Sequence, residues 1–212
     1  MSDPREDIVM FGKMLYDRKL NTGASGNISA RTDKGTMLIT PSGSCKGLLD
    51  ADKLVEIWID DGRIVGNGKP SMETPFHLAF YRNRPDVKAV VHSHPMFCTV
   101  CACGDLKVRP DLTPEGLLVL GREVPIVPYA TPGTDDLASQ LKGPMATANA
   151  FLLEKHGAIT LGKDMAEAYY RMETLEYMAE LLCRIESGPN GVTLGKLRPL
   201  PPSEIERILK GK

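Results

Sequence analysis

Residues 27–40 read Asn27-Ile28-Ser29-Ala30-Arg31-Thr32-Asp33-Lys34-Gly35-Thr36-Met37-Leu38-Ile39-Thr40. Two runs of strand formers, Asn27 to Arg31 and Thr36 to Thr40, flank Asp33-Lys34-Gly35, a trio that tolerates the dihedrals of a tight turn. This is a hairpin. Moving outward, Leu54 to Ile59 and Arg63 to Val65 flank Asp60-Asp61-Gly62, and Asp-Gly between strand formers signals a second hairpin. Val87 to Val91 is a short apolar strand of buried character. Glu123 to Tyr129, Ala150 to Leu153 and Ala158 to Leu161 are further strand candidates.

Helical patterns lie between these strands. Asp7 to Lys19 places Ile8, Phe11 and Leu15 on one face. Phe76 to Arg84 forms a helix with Thr74 as N-cap and Pro75 in the first turn, where the missing N–H costs nothing. Asp135 to Lys142 is helical, and Ser203 opens a short terminal helix. The clearest helix starts at Asp164, with Glu167 three residues on as in a capping box. Its seam of Met165, Ala168, Met172, Leu175, Ala179 and Leu182 runs until Gly188-Pro189 stops it. Hairpins with intervening helices predict an α/β fold: a mixed, mostly antiparallel sheet covered by helices, without the Rossmann alternation. No linker or repeat divides the chain, so residues 1–212 read as a single domain.

Of the 212 residues 42% are apolar, and 26 Lys+Arg oppose 27 Asp+Glu, which excludes disorder and leaves no basic field for nucleic acid. A domain of this size buries roughly 70% of its unfolded surface and needs no metal to hold a core. A metal here would serve chemistry. There is no apolar run of membrane-spanning length, and Asp3, Arg5, Glu6 and Asp7 stand where a signal peptide would show a basic then apolar run. The expectation is a cytoplasmic protein without a membrane partner. Five cysteines, with Cys98, Cys101 and Cys103 crowded in an apolar segment, read as buried reduced thiols.

Four histidines carry the chemical signal. His92 and His94 follow a buried strand, where an i, i+2 pair projects to one side and can chelate a metal. A catalytic zinc site takes three protein ligands, and His156, between two strand-like runs and followed by Gly157, is the candidate third. Glu73 stands at the mouth of a helix, where it could cap, ligate a metal or act as a base. His77, one turn later, reads as a hydrogen-bonded structural residue. Ser25-Gly26-Asn27, Thr40-Pro41-Ser42-Gly43 and Lys69-Pro70-Ser71 cluster N–H and O–H donors in turns, a recipe for binding phosphate.

The ordered set Ser-Gly-Asn-Ile-Ser (25–29), Thr-Pro-Ser-Gly (40–43), Lys-Pro-Ser-x-Glu (69–73), Ala-Val-Val-His-Ser-His-Pro (89–95), Pro-Tyr-Ala-Thr-Pro-Gly-Thr (128–134) and Lys-His-Gly (155–157) resembles the class II aldolase/adducin family, most closely its fuculose-phosphate aldolase branch. The resemblance implies a three-layer α/β/α fold and a homotetramer. It implies a single Zn2+ per subunit on His92, His94 and His156, with Glu73 alternating between metal ligand and catalytic base. Gly26, Asn27, Ser42, Gly43 and Ser71 match its phosphate pocket. The implied reaction is retro-aldol cleavage of a phosphorylated sugar, a ketose 1-phosphate, to dihydroxyacetone phosphate and an aldehyde. The family alternatives are a 4-epimerase, a methylthioribulose-phosphate dehydratase, a decarboxylase or a non-catalytic adducin-like module. Two departures stand out: Met72 replaces a serine of the phosphate pocket, and of the branch's two aldehyde-side tyrosines the first is absent from Thr113-Pro114-Glu115-Gly116-Leu117 and the second from the C-terminal tail, where no tyrosine follows Tyr177.

Overall fold

The computed structural model describes residues 3–186 and 195–211. The strands are β1 (Asn27–Arg31), β2 (Thr36–Ile39), β3 (Val55–Trp58), β4 (Ile64–Val65), β5 (Ala89–Ser93), β6 (Ile126–Val127), β7 (Ala150–Leu153) and β8 (Gly157–Gly162). They form one sheet in the order β4-β3-β2-β1-β5-β8-β7-β6. Every pairing is antiparallel except β6 with β7. The helices are α1 (Pro4–Asp17), α2 (Thr74–Asn83), α3 (Met96–Gly104), α4 (Pro114–Leu120), α5 (Asp135–Leu141), α6 (Met165–Glu186) and α7 (Pro202–Lys210).

Strand alternation divides the apolar residues between two cores. Leu38, Val91 and Leu152 face one layer with Ile8 and Leu15 of α1, Cys98 of α3 and Met172 and Leu175 of α6. Met37, Val90 and Phe151 face the other, with Phe76 and Phe80 of α2 and Leu137 of α5. Val90 and Val91 are both fully buried, one in each core, so each contributes about 1.5–3 kcal/mol of transfer free energy. The result is the expected three-layer α/β/α arrangement around a mixed, mostly antiparallel sheet.

Local differences have local causes. Of the expected strand Glu123 to Tyr129 only Ile126–Val127 pairs, because Pro125 and Pro128 on either side have no N–H for a ladder. Helix α2 starts at Thr74 itself; its N-cap residue is Glu73, whose side chain makes no capping bond. Thr74 Oγ1 instead donates to the Ser71 carbonyl at 2.7 Å. The segment of crowded cysteines is α3, an additional helix; Cys98 and Cys101 share its buried face, whereas Cys103 is exposed. All five thiols are free. At the start of α6 the Asp164 side chain accepts from the Glu167 N–H at 2.7 Å, and Glu167 accepts from the Lys163 N–H at 2.7 Å. The expected stop at Gly188-Pro189 lies outside the described residues. Among the described residues no helix is long and apolar enough to cross a membrane.

Candidate active site

Three central strands bring the histidines to one end of the sheet. Asn27 of β1 pairs with His92 of β5, which pairs in turn with Ile159 of β8. His94 follows two residues beyond His92, and His156 sits in the β7–β8 turn. The three side chains converge, with one ligand atom from each lying within 4.8 Å of the others. Each pair of ring centroids is 4.8 Å apart, and the planes cross at 67°, 69° and 72°, a three-bladed arrangement. Gly157 makes it possible: a Cβ there would stand 2.7 Å from His94 Cδ2 and 2.6 Å from the Ser93 carbonyl oxygen.

Glu73 completes the cluster from the start of α2. Its Oε2 lies 3.0 Å from His92 Nε2 and its Oε1 lies 3.3 Å from His156 Nε2. Burial alone would raise this carboxyl's pKa, but His92, then His156 and the Asn27 amide, hold it below the ordinary carboxylate range. His94 and His156 are driven down to about 3 and about 4, chiefly by burial, so both are neutral at pH 7. His92 Nδ1 donates to the Ala158 carbonyl at 2.9 Å, which turns its Nε2 toward the cluster. Glu73 Oε1 is buried without a hydrogen-bond partner. One ionised carboxylate and three imidazole nitrogens, with an orphaned oxygen among them, fit a divalent transition metal.

Behind Glu73 runs a buried chain of hydrogen bonds. Asn27 Nδ2 donates to Glu73 Oε2 at 2.7 Å, and Asn27 Oδ1 lies 2.5 Å from His77 Nε2. Since Oδ1 can only accept, Nε2 carries the proton and His77 Nδ1 accepts from Ser29 Oγ at 2.7 Å. Ser29 Oγ accepts in turn from the Tyr81 hydroxyl at 2.8 Å. His77 is thus the satisfied buried residue read from the sequence, and burial lowers its pKa to about 3. The Asn27 side chain is committed to this chain, so toward a phosphate it can offer only backbone.

The three donor turns adjoin the cluster. The loops carrying Ser42 and Ser71 are stitched by the Pro41–Pro70 bridge and by the Ser42 N–H donating to the Lys69 carbonyl at 3.0 Å. Gly26 has φ +67°, and a Cβ there would stand 2.5 Å from the His92 carbonyl oxygen. Gly43 has φ +73°. Lys46 went unseen in the sequence, where a lysine normally signals surface; its side chain is buried and bonds to the carbonyls of Ala24 and Ser44, in the loops that carry Gly26 and Ser42. Desolvation lowers its pKa to about 8, opposed by Cys45 and Glu73. Beside His94 and His156 opens a cleft of about 790 Å³, lined also by Tyr16, Lys19, Asn21 and Met96.

A helix-covered mixed sheet with a histidine–carboxylate cluster at the end of its central strands defines a metal-dependent class II aldolase scaffold. The chain belongs to that family: residues 6–183 match the Class II Aldolase and Adducin N-terminal domain. It is 38% identical to the 3-oxo-tetronate 4-phosphate decarboxylase of Pectobacterium atrosepticum, covering 84% of this chain and 83% of that protein. It is also 38% identical to the L-fuculose phosphate aldolase of Methanococcus vannielii, over 83% of this chain and 93% of that one. Among solved structures, an L-fuculose 1-phosphate aldolase superposes with a TM-score of 0.89 at 30% identity, covering 100% of this chain and 96% of its own.

Proposed function

We propose that this protein is a zinc-dependent lyase that decarboxylates a phosphorylated 3-oxo acid of the 3-oxo-tetronate 4-phosphate type. The observation that carries the reading is Glu73, ionised, 7% exposed and held by Asn27 beside His92 and His156, so that a proton-transferring carboxylate stands at the histidine cluster. His92, His94 and His156 would hold one Zn2+, which when bound would stabilise negative charge developing on the substrate's carbonyl oxygen. Backbone and hydroxyl donors of Gly26, Asn27, Ser42, Gly43 and Ser71 would bind the phosphate and fix the carbon skeleton against Glu73. The C1–C2 bond then breaks, its electron pair passes into an enediolate across C2 and C3, and C1 leaves as CO2. A proton taken up from solvent by the Glu73 carboxylate is then delivered to C2, which regenerates the ionised carboxylate, and the product is dihydroxyacetone phosphate.

Retro-aldol cleavage of a ketose 1-phosphate generates the same enediolate, which is why aldolases and decarboxylases can share one half-site. The two differ in the leaving group. An aldehyde leaves only when a hydroxyl proton is removed, whereas CO2 needs no such partner. The segment 113–117, where the aldolase branch carries a tyrosine, here forms the start of α4, with Thr113 Oγ1 capping the Gly116 N–H at 2.9 Å. That difference and the decarboxylase relatives favour decarboxylation over the aldol cleavage expected from sequence. A homotetramer is part of the same reading and is checked by light scattering.

The test is product analysis with zinc-loaded protein. Incubation with 3-oxo-tetronate 4-phosphate should release CO2 and dihydroxyacetone phosphate in equal amounts, with little turnover of L-fuculose 1-phosphate. Dihydroxyacetone phosphate and an aldehyde from the ketose phosphate, with no CO2 from the acid, would return the assignment to an aldolase.

A further inference from the structure

Lys46 is 1% exposed, and the phosphate-pocket residues Gly26, Asn27, Ser42, Gly43 and Ser71 are themselves uncharged. Its Nζ donates to the Ser44 carbonyl at 2.5 Å and to the Ala24 carbonyl at 3.3 Å. One acceptor comes from the loop that carries Ser42 and Gly43, the other from the loop that carries Gly26 and Asn27. Among the described residues no carboxylate lies within ion-pair distance of this ammonium. Glu73, the carboxylate whose field it feels, lies beside His92 and His156 and makes no ion pair with it.

A buried charge is normally paired, because an unpaired one loses its hydration without compensation. Two carbonyl dipoles replace part of that hydration and leave the net charge unbalanced. A second buried group, just before the 22–26 loop, also lacks a partner: Asn21 is 2% exposed, its Nδ2 has no hydrogen-bond acceptor, and the residue lines the cleft beside His94 and His156. Lys19 and Lys69, the other lysines of these segments, are exposed, where water screens their charge.

We infer that Lys46 is the fixed positive charge of the anion pocket, a positioning residue that ties the 22–26 and 41–44 loops together and balances the charge of the substrate's phosphate. The inference rests on the phosphorylated-substrate reading and adds to it the source of specificity. Neutral hydroxyl and N–H donors can bind a phosphate or a hydroxyl group alike; a buried cation behind them favours the anion.

The experiment compares zinc-loaded wild type and Lys46→Met in calorimetric titrations with dihydroxyacetone phosphate and with dihydroxyacetone. Wild type should prefer the phosphorylated compound strongly, and Lys46→Met should bind it about 10–100-fold more weakly while its affinity for dihydroxyacetone stays the same. A mutant that keeps the wild-type preference, or weakens toward both compounds equally, overturns the role assigned to Lys46. A wild type that binds both alike overturns the phosphate reading and this inference with it. Wild-type protein offers a measurement independent of mutant folding: the protected 15Nζ resonance of its buried lysine should shift when inorganic phosphate is added. A resonance that stays in place while 31P line broadening reports phosphate binding overturns the inference.

Discussion

Asn27 and Glu73, 46 residues apart in sequence, are joined by a 2.7 Å hydrogen bond from the asparagine amide to the carboxylate. The amide cannot rotate, because its other end accepts from His77. Glu73 is therefore held at Oε2 while Oε1 stays free of hydrogen bonds. That is the posture required of a carboxylate that must ligate a metal and exchange a proton.

Asn27→Ala should remove this hold and leave the His77 N–H buried without an acceptor. The stability cost is about 1–3 kcal/mol. Thermal denaturation reads it, and kcat should fall in protein shown by metal analysis to retain zinc. Unchanged kcat in such protein would mean that Glu73 needs no alignment from Asn27.

His77 makes a prediction about pH. Its native pKa is about 3 against 6.5 for a free imidazole, so between these values the unfolded chain carries a proton that the native state does not. Stability from this group is fully present above about pH 6.5 and is lost progressively as pH falls toward 3. Within that window wild type should lose stability on acidification more steeply than His77→Gln, by up to about 1.4 kcal/mol per pH unit. Urea denaturation at several pH values measures the two slopes. Parallel slopes would show that His77 does not stay neutral in the fold.

The metal assignment predicts close to one equivalent of zinc per subunit in wild type, falling to a small fraction in His94→Ala after dialysis. Plasma emission analysis decides it. Undiminished zinc in the mutant would remove His94 from the site.

The phosphate assignment predicts competitive inhibition by phosphoglycolohydroxamate and weak inhibition by its unphosphorylated counterpart. Steady-state kinetics supply both constants. Equal inhibition would place an uncharged group in the Ser42–Ser71 pocket.

Local pattern made much of this legible. The two hairpins follow from Asp33-Lys34-Gly35 and Asp60-Asp61-Gly62, and the pairing of His92 with His94 follows from strand alternation. Bringing His156 to them took the family resemblance, because the β5–β8 pairing that unites them links strands far apart in sequence. Glu73 could be placed at a helix start, but only the fold shows that it caps nothing and leans on Asn27. Helix α3 was hidden because Met96 to Ala102 is apolar nearly all round and shows no amphipathic period. Lys46 was hidden by its own chemistry, since no pattern distinguishes a buried lysine from the many exposed ones.

The central claim is that Glu73 handles the proton at the enediolate carbon, and it can be tested apart from the identity of the leaving group. The measurement is exchange of the C3 protons of dihydroxyacetone phosphate with solvent deuterium, followed by NMR. General-base catalysis supplies roughly 10²–10⁴-fold, and Glu73→Gln keeps the shape of the side chain while losing the base. Zinc-loaded wild type should catalyse the exchange, and Glu73→Gln with full zinc occupancy should be slower by about that factor. A zinc-replete mutant that exchanges at the wild-type rate would contradict the account.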